Sequence, residues 1–241
     1  MTELSLVIPA YNEQDRIYHT LKEIEKTFSA PAIDYEVIVV DDGSKDDTCL
    51  EVERAIEENP RIKLVRQENG GKGSALKRGV PLATGRLVNF IDADLDLHPY
   101  QLHEYMRIME ITGADIVIGS KRHPESRVIY PWKRKVLSRC YQSLIGVMFN
   151  LDVRDTQVGL KLFKREPIQR IMPKVMVKKY AFDLEVLVNA KHLGYRIVEA
   201  PIDLHFQRIT SRIQFKAIQD IFIDTMAIFY RLRILKYYDK H

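Results

Sequence analysis

Three carboxylates at alternate positions, Asp92, Asp94 and Asp96 of the segment DADLD, are the residues of this 241-residue chain best suited to chemistry. In an extended segment alternate side chains point to the same side, so the three can face one point. Like charges held together repel and keep protons. A hard divalent ion removes that conflict, and Mg²⁺ or Mn²⁺ commonly takes one or two carboxylates along with substrate phosphates. The ordinary alternative is a solvated acidic loop after a strand. Asp41 and Asp42 in VDDGS form a second acidic pair. One can accept hydrogen bonds from a base or a ribose while the other caps a helix, although Asp-Gly-Ser is equally a plain turn. The third feature is the glycine-rich run ENGGKGSALKRG at residues 68–79. Exposed backbone N–H groups and Lys72 there would suit phosphate oxygens.

Several chemistries are excluded by the same residues. Lys72 is followed by Gly73, where a Walker A loop needs Ser or Thr, and GKGSAL lacks the third glycine of a dinucleotide fingerprint. ATP hydrolysis and NAD binding therefore have no support. The seven histidines show no metal-ligand spacing, and no Ser-His-Asp or Cys-His signature can be assembled.

The elements that must position these groups follow from the apolar pattern. Val/Ile-rich runs at 4–8, 35–40, 62–66, 87–91 and 115–119 read as buried strands. Helical patterns separate them at about 13–28, after VDDGSKDDT with Ser44 or Asp46 as N-cap, at about 73–83 and at about 99–112. Continuous apolar strands alternating with helices predict an α/β fold, a parallel sheet covered on both faces. Ligands bind such sheets beyond the carboxyl ends of the strands. PAYNE, VDDGS and DADLD each end a strand, so they converge on one edge. The second half predicts helices at about 128–149 and 182–193, a strand at 196–200, and a long amphipathic helix at 214–238 carrying Phe215, Ile218, Phe222, Met226, Phe229 and Leu232. No repeat or linker interrupts the chain. One unit is expected, with a first half at 1–120, a second half at 121–212 and a C-terminal amphipathic helix at 213–241.

A composition of 46% hydrophobic and 29% charged residues is that of a globular protein, and a chain this long buries a core without staples. Cys49 and Cys140 alone suggest a reducing compartment. The start MTELSLVIPAYNE lacks the basic and apolar regions of a signal peptide, and no run approaches the roughly 20 apolar residues that span a bilayer. These features predict a cytoplasmic protein whose membrane contact is peripheral. A net charge of +4 is too mild for nucleic acid. Its distribution is uneven: Lys121, Arg122, Arg127, Lys133, Arg134, Lys135 and Arg139 face only Glu125 between residues 121 and 139. Arginine forks suit phosphate oxygens. Helices that combine basic, aromatic and apolar residues suit either an anionic lipid surface or ordinary core packing.

PAYNE, VDDGSKDDT, NGGKGSALKRG and DADLDLHP, in that order and spacing, resemble the family 2 glycosyltransferases of GT-A fold. Within that family the chain is most similar to the dolichyl-phosphate mannose synthases and glucosyltransferases. GSKR at 119–122, KRKVLSR at 133–139, DTQVGLKLF at 155–163 and the Arg208/Ser211/Arg212 region extend the likeness to about residue 215. The resemblance implies a GT-A, Rossmann-like mixed and mostly parallel sheet flanked by helices. It also implies metal-dependent transfer of a hexose from a nucleotide sugar to a polyprenyl phosphate at the cytosolic membrane face. Pro9, Tyr11, Glu13 and one of Asp41 or Asp42 would hold the nucleotide. Asp92 and Asp94 would engage metal and diphosphate, Asp94 most directly, with Asp96 standing where the mannose synthases often carry Gln. Arg122, Arg134 and Ser138 would grip the acceptor phosphate, and Arg208 would close over the donor, so that 1–120 would be the donor half and 121–212 the acceptor half. GDP-mannose is placed slightly ahead of UDP-glucose, because DADLDLHP resembles the mannosyl branch while GKGSAL resembles the glucosyl one. No QxxRW motif supports a processive polysaccharide synthase. The lack of apolar spans resembles the short mannose synthases, which rely on an amphipathic surface or an anchoring subunit; a homodimer is the other expected partner.

A polyprenyl phosphate is already an anionic nucleophile and needs aim more than a base, so leaving-group stabilisation and positioning would do the work. Direct displacement inverts the anomeric centre. A neutral sugar hydroxyl would instead need a carboxylate base, with Asp183 or Glu185 of YAFDLEVL as candidates beside the plain reading of both as surface acids of a helix. A non-catalytic nucleotide-sugar-binding subunit is the remaining reading. An acidic cluster kept without its metal is costly, which counts against it.

Overall fold

The computed structural model describes residues 2–29, 33–128, 132–178, 181–204 and 215–240. Strand β1 (Leu4–Ala10) leads through α1 (Ile17–Ser29) to β2 (Tyr35–Asp41), then α2 (Thr48–Glu58), β3 (Ile62–Arg66), α3 (Lys72–Gly79) and β4 (Leu87–Phe90). Next come α4 (Gln101–Thr112), β5 (Ile116–Gly119), β6 (Arg127–Val128), α5 (Trp132–Phe149), β7 (Lys161–Lys164) and α6 (Arg165–Ile171). The chain closes with α7 (Phe182–His192), β8 (Ile197–Ala200), β9 (Asp203–Leu204), α8 (Phe215–Arg233) and α9 (Tyr237–Lys240).

Seven strands form one sheet in the order β3-β2-β1-β4-β7-β5-β8. Every pairing is parallel except those of β7, which runs antiparallel between β4 and β5. The strands read as continuous apolar runs because both sheet faces are covered. On one face Val7, Ile38, Val40, Val88 and Phe90 pack with α3, α6 and α7. On the other Leu6, Ile8, Val37, Val39 and Leu162 pack with α1, α2 and α4. The mixed, mostly parallel sheet agrees with the fold class expected from the sequence. The antiparallel β7, from residues 161–164, lies between β4 and β5, two strands of the first 120 residues.

Three sequence expectations need correction. Helix α2 begins only at Thr48, with Asp47 at its N-cap and no capping side chain. Ser44 and Asp46 serve the neighbouring loop instead, as described below. The helix expected from residue 128 starts at Trp132, because Arg127–Val128 pair with Asp203–Leu204 in a small parallel ribbon. The C-terminal helix is not continuous to residue 238. It stops at Arg233, Lys236 takes a left-handed φ of 47°, and α9 restarts at Tyr237. The break lets Tyr238 turn inward, where its hydroxyl donates to Glu185 Oε1 (2.5 Å).

Candidate active site

Strands β1, β2 and β4 are neighbours and parallel, so the loops after Ala10, Asp41 and Phe90 meet at one edge. The first two loops are laced together. Asn12, at a left-handed φ of 54°, donates its N–H to Ser44 Oγ (3.0 Å), and its side-chain oxygen accepts from the Lys45 N–H (2.9 Å). The Glu13 N–H donates to Thr48 Oγ1 (2.8 Å), and Asp46 accepts from the N–H groups of Gln14 (3.3 Å) and Thr48 (3.1 Å). A cleft of about 200 Å³ opens between the loops, lined by Pro9, Tyr11, Glu13, Asp42, Lys72, Asp92 and Asp94 among others. Seven residues expected at the donor site are thus brought together. Tyr11 is the exposed one, at 42%, which leaves its ring open at the rim.

Asp41 and Asp42 separate in role. Asp41 is buried and accepts from the Ser44 N–H (3.3 Å), tying its own turn. Asp42 reaches the cleft wall but spends its oxygens on the glycine-rich loop: Gly70 N–H (2.8 Å), Gly71 N–H (2.7 Å) and Gln67 Nε2 (2.6 Å) all donate to it. The Gly73 N–H donates to the carbonyl of Lys178 (2.9 Å). Those glycine N–H groups are therefore used inside the protein, and the phosphate cradle expected from them gives way to a rigid loop that presents Lys72. Gly71, at φ 91°, lies in the left-handed region, where glycine is strongly favoured.

The DADLD segment is not extended. The chain turns at Ala93–Asp94, Leu95 takes φ 59° and buries its side chain, and the Asp96 N–H donates to Asp94 Oδ1 (3.1 Å). Burying Leu95 breaks the alternation, so Asp92 and Asp94 line the cleft and Asp96 does not. Among the described residues no group of three or more His, Cys, Asp or Glu side chains is arranged to hold a metal ion. Of the three carboxylates expected to face one point, Asp92 and Asp94 line the cleft together with Lys72, and Asp96 is not part of its lining.

The two carboxylates differ sharply. Lys72 Nζ lies 2.5 Å from Asp92 Oδ1. Loss of water pushes the Asp92 pKa up, but the charge and hydrogen bond of Lys72, with Lys161 behind, bring it below the ordinary value. Lys72 is likewise disfavoured by burial, yet the charges of Asp92, Asp183 and Asp94 carry its pKa above normal. Asp94 is raised, by burial first and then by repulsion from Asp92 and Asp96. A carboxylate pushed up by its acidic neighbours is where an added cation gains most.

Behind the pair lie residues the motif reading missed. A Cβ at Gly159 would sit 2.1 Å from Asp92 Oδ2, so the carboxylate packs directly on the glycine backbone and would have to move for any side chain there. Lys161 is 1% exposed, and its ammonium donates to the carbonyl of Val158 and to Asp183 Oδ1 (2.6 Å). Burial pulls the Lys161 pKa down; the Asp183 charge opposes this and the Lys72 charge adds to it. Asp183 and Glu185 are not surface acids. Asp183 is the counter-ion of Lys161. Glu185, fully buried, accepts from the Met176 and Val177 N–H groups (2.8 and 2.6 Å), from Arg231 Nη2 (3.0 Å) and from Tyr238. The one available signal was a lysine set inside the apolar run of LKLF, in a motif that resemblance alone had marked.

The residues expected to grip an acceptor are less gathered. Arg122 lies half-buried in the loop after β5, its N–H on Ser120 Oγ (3.3 Å), and is not part of the cleft lining. The side chains of Arg134 and Ser138, on α5, and all of Arg208 fall outside the described residues.

A seven-stranded sheet of this order, with an acid-lined cleft at the ends of β1, β2 and β4, defines a class. The family model for glycosyl transferase family 2 matches residues 5–172, and the chain belongs to that family. Its relatives point more narrowly. The chain is 33% identical over 214 residues to the dolichyl-phosphate beta-glucosyltransferase of Dictyostelium discoideum, covering 83% of this chain and 65% of that protein. It is 37% identical over 215 residues to a dolichyl-phosphate beta-glucosyltransferase of Trichomonas vaginalis, with the same coverages of 83% and 65%. It is 34% identical over 204 residues to the glycosyltransferase AglD of Haloferax volcanii, covering 83% of this chain and 33% of that one. The chain thus spans less than two thirds of the length of these curated relatives. Among solved structures, glucosyl-3-phosphoglycerate synthase from Mycobacterium tuberculosis, in complex with Mn²⁺, UDP and phosphoglyceric acid, superposes with a TM-score of 0.71 at 21% identity, covering 95% of this chain and 78% of that one. At that identity the likeness gives the fold, GT-A, as the sequence led us to expect.

Proposed function

We propose that this chain transfers glucose from UDP-glucose to a dolichyl-type polyprenyl phosphate at a membrane surface, with Mg²⁺ or Mn²⁺ held between Asp92 and Asp94. The observation that carries the reading is the cleft itself. It joins Asp92, Asp94 and Lys72 to the nucleotide-side residues Pro9, Tyr11, Glu13 and Asp42, in a chain whose relatives are named beta-glucosyltransferases. Those names support UDP-glucose over the GDP-mannose that the acidic motif first suggested. Two carboxylates with substrate phosphates are an ordinary ligand set for such an ion, and the raised Asp94 fits the role. When bound, the ion neutralises charge developing on the departing diphosphate.

The chain's own residues do the rest. Tyr11 offers its exposed ring to the base, and Lys72 contributes a positive charge to the diphosphate. Gly159 and Lys161 keep Asp92 in place. Asp183, a candidate catalytic base by its sequence, is paired with Lys161, and Glu185 carries four hydrogen bonds. With both carboxylates engaged, an acceptor that brings its own anionic oxygen is favoured over a neutral hydroxyl. Arg122, Arg134, Ser138 and Arg208 remain the proposed grips on acceptor phosphate and donor.

Membrane approach is assigned to α8. Among the described residues no helix is long and apolar enough to cross a membrane. Yet Phe222 (52%), Ile223 (62%) and Tyr230 (52%) stand exposed on α8, followed by Ile234 and Leu235, with Arg233 and Lys236 alongside. That combination suits the cytosolic, anionic face of a bilayer. An anchoring subunit or a second copy of the chain would cover the same face.

The test is radiolabelled UDP-glucose and GDP-mannose in parallel, with Mn²⁺, polyprenyl phosphate in vesicles, and Asp94→Ala as control. The expected result is acid-labile lipid label from UDP-glucose alone, falling by about 10²-fold or more in the variant. Label from GDP-mannose alone would overturn the sugar assignment. Donor binding without lipid label would overturn the acceptor assignment.

A further inference from the structure

Lys72 is poorly explained as a donor ligand alone, because Asp92 already holds it. The ammonium sits 2.5 Å from Asp92 Oδ1. The other oxygen, Oδ2, is packed on Gly159 so closely that a Cβ there would approach to 2.1 Å. Asp92 thus has one oxygen packed on Gly159 and the other on the Lys72 ammonium. Asp94 lines the same cleft, and its Oδ1 accepts from the Asp96 N–H (3.1 Å). The site thus holds one carboxylate ion-paired to a lysine and one hydrogen-bonded to a backbone N–H.

Permanent and removable charges can be told apart. Lys161 is buried and locked by Val158 and Asp183, so it cannot leave. Lys72 is the first residue of α3 and only half-buried, with 35% of its side chain exposed. Its backbone is pinned on both sides, by Asp42 on the Gly70 and Gly71 N–H groups and by the Lys178 carbonyl on the Gly73 N–H. Only its flexible four-carbon stem is free to swing. A divalent ion at Asp92 and an ammonium on the same oxygen repel each other, so they exclude one another unless a further anion receives the lysine.

We infer that Lys72 is a displaceable internal cation: without donor it occupies Asp92, and the diphosphate of the nucleotide sugar draws it off, so the divalent ion gains Asp92 only together with the nucleotide. This rests on the reading of Asp92 and Asp94 as the metal ligands. Lys72 is then a positioning residue that couples two binding events. The loop that carries it reads the diphosphate, and the acidic pair reads the ion.

The test is a titration of Mn²⁺ followed by the paramagnetic resonance signal of the free ion, with and without UDP, in the purified full chain. In the wild type, UDP is expected to tighten Mn²⁺ binding by at least about tenfold. Lys72→Met is expected to bind Mn²⁺ alone at least about tenfold tighter than wild type, with the UDP effect largely lost. Lys72→Gln, which keeps length and a donor without the charge, is expected to show the same gain and replaces the Met variant should that one not fold. Lys72→Arg should keep the wild-type pattern. Unchanged or weaker Mn²⁺ binding in both neutral variants, beside UDP-dependent binding in wild type that Asp94→Asn abolishes, would overturn the role of Lys72 and leave the metal site standing. Absence of Mn²⁺ binding in wild type even with UDP would overturn the metal reading, and the inference with it.

Discussion

Replacing Gly159 with alanine perturbs Asp92 without touching a single charge. The added methyl would stand 2.1 Å from Asp92 Oδ2 and 3.0 Å from its Cγ, whereas ordinary contact begins at 3.4 Å. The carboxylate must therefore retreat by more than about 1 Å, toward the open cleft, where Lys72 Nζ already stands 2.5 Å away, so that ion pair has to rearrange with it. A misplacement of about 1 Å in a positioning group costs about 10²-fold in rate, or about 2.7 kcal/mol of transition-state stabilisation. Overpacking costs about 1–3 kcal/mol of stability. Asp92 can yield into the cleft, so the lower end is expected, a fall in Tm of about 2–4 °C for a chain of this size. The assay is kcat/KM for glucosyl transfer to polyprenyl phosphate, paired with a Mn²⁺ titration in the presence of UDP and a thermal melt. A large loss of kcat/KM with the fold intact is the expected result. Activity and Mn²⁺ binding within a small factor of wild type would refute the idea that the Gly159 backbone sets the position of Asp92.

Further outcomes are expected elsewhere in the molecule. Lys161→Met should leave Asp183 buried without its partner and destabilise the protein by about 3–5 kcal/mol, with most of that loss recovered in the Lys161→Met, Asp183→Asn double variant; denaturant midpoints check it. Burial raises the Glu36 pKa, but Lys63, the Thr84 N–H and hydroxyl, and Ser5 outweigh it and hold the group at about 2, against 4.5 for the free group. A depressed carboxylate stabilises the fold above its unfolded pKa and loses that contribution as pH falls. Glu36→Gln should therefore be less stable than wild type by about 3 kcal/mol at neutral pH, and the gap should close between about pH 4.5 and 2. Phe222→Asp with Ile223→Asp should abolish co-sedimentation with anionic vesicles while leaving UDP binding unchanged. Vesicle binding that survives would move the membrane contact off α8.

How much of this was legible in the sequence depends on the distance over which each feature is decided. The parallel sheet was readable because each of its long strands, LSLVIPA and YEVIVVD above all, is apolar on both faces, a purely local consequence of double coverage. The convergence of PAYNE, VDDGS and DADLD followed from the same rule, since ligands gather beyond the carboxyl ends of parallel strands. Strand β7 escaped because KLFK places two lysines in four residues, and the burial of Lys161 makes sense only once Asp183 stands beside it. The C-terminal break escaped because RLRILKYY keeps a helical period, while Tyr238 is drawn inward by Glu185, 53 residues away.

Local pattern and residue type thus determined the fold class, the edge on which the site lies and the acidic residues gathered there. Tertiary structure alone decided which of them work together. Burial of Leu95 turned Asp96 away from the cleft, Asp42 was drawn to Gly70 and Gly71 across 28 and 29 residues of chain, and Asp183 became the partner of Lys161 across 22. Periodicity records whether a side chain faces the core or water, and it carries no information about which distant charge a buried charge must find. A buried ion has to be paired wherever the fold places its partner, so the roles of these carboxylates could be settled only in three dimensions.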